Sequence, residues 1–240
     1  MDEKYYNISY AESPFGTLSQ YMTRTFVWMF AGLLVTFGVA MAAAMSGVVY
    51  LLYATGLVFV LSIAELILVG VLSMRVEKLQ PATATGLFFA YAILTGLNLS
   101  VYFVVYDLST LVLAFLVGAV YFGVMAVYGA TTNKNLTSWV PMLLGGLVSL
   151  LVVSLVGSLF SLLFGTGFGL FDLLLCAGAL LLFMAFTAYD TQKLKYYYAY
   201  FGGDAAMLHR YSIIGALSLY LDYINIFLYV LRIVGRVNRD

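Results

Sequence analysis

Two aspartates stand inside stretches that are otherwise almost wholly apolar. Asp222 lies in YSIIGALSLYLDYINIFLYVLRI and Asp190 in FMAFTAYDTQKLKYYYAY. A carboxylate in such a setting is costly, and the chemistry it suits is the holding of a proton or the passing of a cation. Around Asp222 the residues Gly215, Ser218, Asn225 and Tyr229 recur at spacings of three and four, so they share one helix face with it. Ser218 and Asn225 alone would serve helix packing by hydrogen bonds; an acid in mid-helix exceeds that need. Asp190 falls near the end of its span, with Thr187 three residues before it. An acid near a helix C-terminus opposes the dipole, so a shared proton or a basic partner must offset it.

Other polar residues interrupt the apolar runs. Glu65 sits in LSIAELILVG and meets the same desolvation problem, with Arg75 and Lys78 at the end of that run in position to reach inward. Asn98, with Thr95 and Tyr102, lines one side of the following run. Asp107 and Asp172 fall at helix starts, where acids suit the dipole and can gather cations at an outer mouth. The single histidine, His209, excludes a histidine metal cluster. No GxGxxG, P-loop, HExxH or GxSxG motif occurs, and Ser218 lacks a neighbouring base, so we expect no enzyme and no bound cofactor. Cys176, in an apolar run, reads as a small buried hydrophobe.

These residues must be positioned by membrane spans. Hydrophobic residues make up 64 % of the 240 and charged residues 9 %, where a soluble domain carries about a quarter charged. Eleven basic residues balance eleven acidic ones, and no basic run is present that could track a nucleic acid. Charges punctuate the chain into seven helices, expected near 25–45, 50–73, 82–105, 109–130, 140–163, 170–192 and 211–234. The runs are too long and too uniformly apolar for barrel strands, so the fold class is all-α and polytopic. The division expected is a cytoplasmic tail over 1–24, a seven-helix domain over 25–234 and a short tail over 235–240. Gly47 marks a turn, Pro81 and Pro141 open helices, FGTGFG is a Gly-rich turn, and 193–210 reads as a polar connection. The tyrosines of KYYYAYF read as interfacial anchors.

Lys4, Arg24, Arg75, Lys78, Lys134, Lys193, Lys195 and Arg210 collect on one side, which places the N-terminus in the cytoplasm. Seven crossings then put the C-terminus outside, although Arg232, Arg236 and Arg239 lie there against the trend.

Three segments, AILTGLNLS at 92–100, FTAYDTQKL at 186–194 and GALSLYLDYINIFLYVLRI at 215–233, carry a resemblance to the Bax inhibitor-1 family of transmembrane proteins, in the manner of a bacterial member. It extends from about Arg24 to Arg232. The resemblance implies seven helices with the last surrounded by the other six. It implies a pH-sensitive calcium leak in which two aspartates pair as the sensor, matched here by Asp190 and Asp222. It further implies a basic latch on the second helix, matched by Arg75, and an acid in the ion path, matched by Glu65. Asn225, Ser218 and Asn98 are further candidates for that path. Ca²⁺, the expected permeating ion, would meet Asp190 and Asp222 only transiently. The expected setting is a bacterial inner membrane, with lipid, protons, Ca²⁺ and other membrane proteins as partners. The alternative is a non-transporting regulator that binds a membrane protease or another membrane protein.

Overall fold

The computed structural model describes residues 16–164 and 169–237. The expected tail over 1–24 lies outside them up to residue 15, as do most of the FGTGFG turn and residues 238–240 with Arg239. The helices are α1 (Leu18–Met45), α2 (Val48–Ala54), α3 (Leu57–Arg75), α4 (Pro81–Leu99), α5 (Tyr102–Val105), α6 (Leu108–Thr131), α7 (Val140–Phe164), α8 (Gly169–Phe201) and α9 (Ala205–Val237). Seven helical stretches among the described residues are long and apolar enough to cross a membrane. α9 runs unbroken for 33 residues, about 50 Å at 1.5 Å per residue, well beyond a hydrocarbon core of about 30 Å.

Local chemistry sets the ends. α1 begins at Leu18 rather than near 25, because Thr17 and Gln20 form a reciprocal capping box ahead of it. Gly47 adopts φ +77° at the turn after α1, as its place in the sequence suggested. The second span is not one helix over 50–73: Gly56, at φ +71°, breaks it into α2 and α3. Pro81 is the first residue of α4, where its missing N–H costs nothing.

The expected connection over 193–210 is mostly helix. α8 continues to Phe201, and α9 starts at Ala205 under an Asp204 cap whose carboxylate accepts from Ala206 and Met207 at 2.9 and 3.0 Å. Lys193 and Lys195 mark where α8 leaves the apolar layer; they do not end it. Tyr198 of the tyrosine cluster is buried and donates to the Gly16 carbonyl at 2.6 Å, so it anchors α1 instead of an interface.

The chain forms two compact units. The first contains α1 to α5, α8 from Lys193 and α9 up to Tyr220; the second contains α6, α7, α8 up to Gln192 and α9 from Leu221. α9 supplies the core of each. In the first unit Ser212 meets Thr25 at 2.9 Å, and the Tyr220 hydroxyl meets Thr36 at 2.6 Å. In the second, Tyr223 donates to the Phe115 carbonyl at 3.0 Å, with its ring edge-on to Phe115 and Phe122. α9 is thus the central helix of the all-α membrane fold, and its polar face and its apolar flanks are both packed by protein.

Candidate functional site

Asp190 and Asp222 both belong to the second unit, and the helices that carry them are antiparallel. The rings of Phe183 on α8 and Tyr229 on α9 stack with centroids 6.0 Å apart. Seven residues on from Phe183 is Asp190, and seven residues back from Tyr229 is Asp222. Seven residues are close to two helical turns, about 10 Å, and return to the same face. Because the helices run in opposite directions, the two steps lead the same way. Each acid thus lies about two turns from the ring contact, both in the direction of the connection between α8 and α9. Asp222 is buried and Asp190 half-buried.

The stretch of α8 around Asp190 is closely packed. Gly129 of α6 crosses α8 so tightly that a methyl group there would run into the Ala188 carbonyl. Thr187 is fully buried and donates to the Phe183 carbonyl at 2.9 Å. Two residues after Asp190, the buried Gln192 accepts from the Leu136 N–H at 2.9 Å and donates to the Lys134 carbonyl at 2.7 Å. It clamps the connection between α6 and α7. Gln192 falls at the end of the helix expected over 170–192, and its pairing with a loop over fifty residues away has no local signal. Tyr220 and Tyr223 bracket Asp222 along the chain, each held in its own unit by the hydroxyl bonds described above; the sequence reading, which assigned only the KYYYAYF cluster to the interface, singled out neither.

Along the stripe on α9, Gly215 is buried, and Ser218, Asn225 and Tyr229 are half-buried. Asn225 donates its amide to the Leu221 carbonyl at 2.8 Å, one turn back on the same helix, which leaves its oxygen as the outward acceptor.

A second polar cluster lies in the first unit. Asn98 of α4 donates to Glu65 of α3 at 3.0 Å and lies 3.4 Å from the Ser62 hydroxyl. The Tyr53 hydroxyl donates to the backbone carbonyl of Asn98 at 3.2 Å. Glu65 and Asn98, singled out separately in the sequence, are thus brought together. Arg75 does not reach in toward Glu65: it is exposed at the end of α3, ten residues or about 15 Å further along the axis. Asp107 is exposed immediately before α6, and Asp172 lies in the first turn of α8, as expected for acids at helix starts. Cys176 is buried. Among the described residues no group of three or more His, Cys, Asp or Glu side chains could hold a metal ion.

The family model for "Inhibitor of apoptosis-promoting Bax1" matches residues 18–239. The chain is 41 % identical over 228 residues to an inner membrane protein of Escherichia coli K12, YbhL, covering 92 % of this chain and 94 % of that one. It is 40 % identical over 213 residues to a protein of Deinococcus radiodurans, covering 89 % of each. With a Rickettsia prowazekii protein it shares 33 % identity over 223 residues, covering 91 % and 90 %. The match runs through every described span, α8 and α9 included, and this multi-pass membrane protein belongs to the Bax inhibitor-1 family.

Proposed function

We propose that the protein is a pH-sensitive cation leak of a bacterial inner membrane, with Ca²⁺ as the permeating ion and Asp190 and Asp222 as its gate. The observation that supports this reading is the Phe183–Tyr229 contact, from which Asp190 and Asp222 each lie seven residues away toward the same end of the helix pair. Two carboxylates facing each other in a dry layer do not both ionise cheaply. They share one proton and titrate as a pair. The shared proton bonds α8 to α9. Its loss leaves two like charges that repel each other or recruit a cation, and the helix contact then has a second arrangement.

A Ca²⁺ ion takes about six to eight oxygens. Asp190, Asp222 and the Asn225 carbonyl supply only part of that shell, so water completes it, as suits transient passage. Glu65 with Asn98 offers a further carboxylate within the apolar layer, and Asp107 and Asp172 collect cations at the outer end. The cytoplasmic N-terminus follows from the distribution of Lys and Arg. Arg75 is the candidate latch of the closed state, and Arg75→Gln tests it: basal flux should rise at the pH where the native protein is least active.

The test of the gate is Ca²⁺ flux into proteoliposomes between about pH 5 and 8, with Asp190→Asn and Asp222→Asn beside the native protein. The gate predicts a pH-dependent flux that both substitutions flatten. Absence of flux above empty vesicles at every pH would leave a non-transporting regulator in its place.

A further inference from the structure

The second unit contains a hollow beside Asp172 whose other lining residues have no part in the proposed leak. It has a volume of about 510 Å³ and lies among α7, α8 and α9. Ser154, Ser158 and Ser161 line it from α7, Asp172 from α8, and Arg232 and Arg236 from α9. The serines are spaced by four and three, which sets their hydroxyls along one face of α7; the arginines are one turn apart on α9. Ser161 is near the end of α7, Asp172 is in the first turn of α8, and Arg236 is in the last turn of α9. All three positions belong to the same end of the unit, at the depth where a span meets lipid headgroups.

Charge and shape point to an anion. Two guanidinium groups face one carboxylate, so the lining is net positive by one. Arginine pairs bind phosphate in a bidentate manner, and serine hydroxyls add neutral donors. A favourable interaction with the α9 dipole accounts for a cation in its last turn, but not for a hollow faced with three hydroxyls opposite two arginines. These arginines are also the ones that depart from the distribution of Lys and Arg elsewhere in the chain.

The source of the anion is argued from the rest of α7. Leu151 and Leu155, one turn apart on that helix, are both more than half exposed on the flank next to the serine face. They offer an apolar surface for acyl chains leading away from the hollow. We propose that this hollow holds the phosphate of an anionic phospholipid, with Arg232 and Arg236 on the phosphate, the α7 serines on its remaining oxygens and the acyl chains along α7. Basic pockets between transmembrane helices recognise lipid headgroups in this way.

The experiment is native mass spectrometry and thermal unfolding of the full chain in detergent. Phosphatidylglycerol, phosphatidylcholine and inorganic phosphate are added in separate arms. Phosphatidylglycerol should be retained and should raise the unfolding temperature, while phosphatidylcholine and inorganic phosphate should do neither. The double substitution Arg232→Gln with Arg236→Gln should weaken phosphatidylglycerol retention about tenfold or more. Arg232→Lys with Arg236→Lys should recover part of it. Should the glutamine variant fail to fold, Ser158→Ala with Ser161→Ala keeps both charges and should lower retention about threefold. Native-level retention by a folded glutamine variant, or by the serine variant, overturns the site. Stabilisation by inorganic phosphate equal to that by phosphatidylglycerol overturns the lipid as its source.

Discussion

Glu65 and Asp222 are both acids in mid-helix, and their helices solve the same problem in different ways. α3 is the least buried of the seven spans: only 6 % of its most apolar window is covered by protein, against 67 % for α9. Glu65 is half-buried and accepts one hydrogen bond from a neighbouring helix, the amide of Asn98. Asp222 is buried, on a helix most of whose apolar stretch is covered by protein. The first arrangement keeps a charged or polar group tolerable on a lipid-facing helix. The second buries an acid within the protein, and on the function proposed above that acid shares a proton with Asp190 and so couples α9 to α8.

The contrast between the two helices can be broken in several places. The largest effect is expected from truncating an aromatic core residue of α9. Phe227→Ala should cost about 3–5 kcal/mol of stability, since the side chain is buried. Phe59→Ala, on the exposed side of α3, should leave detergent unfolding temperature nearly unchanged. Equal losses would mean that α9 is not the core. Next comes the crossing beside Asp190. Gly129→Leu should destabilise by about 1–3 kcal/mol through overpacking against Ala188. Gly123→Leu on the same helix, which meets open space, serves as its control in the same unfolding assay.

Smaller effects belong to α3. Asn98→Leu removes the donor to Glu65 and should cost about 1–2 kcal/mol. Glu65→Gln keeps the neighbour and the shape, and should cost less than about 0.5 kcal/mol. If Glu65→Gln lowers Ca²⁺ flux without moving the unfolding temperature, the acid acts on the ion and not on packing. If flux is unchanged, Glu65 leaves the ion path.

The seven spans were legible because charged residues are rare and most of them fall at or between the span ends. The carboxylates were legible for the same reason, as was the stripe of Ser218, Asp222 and Asn225 at helical spacing. What escaped has a physical explanation in each case. Gly56 breaks the second span from within an apolar run, where hydropathy does not register a positive φ. Lys193 and Lys195 signalled an exit from lipid but not an end to hydrogen bonding, so α8 runs on to Phe201. Gln192 and the Glu65–Asn98 bond depend on partners distant in sequence. The Phe183–Tyr229 contact between α8 and α9 likewise joins residues distant in sequence, and spacing on one helix cannot supply it.

The most direct measurement is Ca²⁺ flux into sealed vesicles as a function of pH for the native chain, Asp190→Asn and Asp222→Asn. A shared-proton gate predicts that native flux changes with pH and that each substitution alone removes the change, because a pair with one acid has no proton to share. A pH response that survives Asp222→Asn in a folded protein would contradict it.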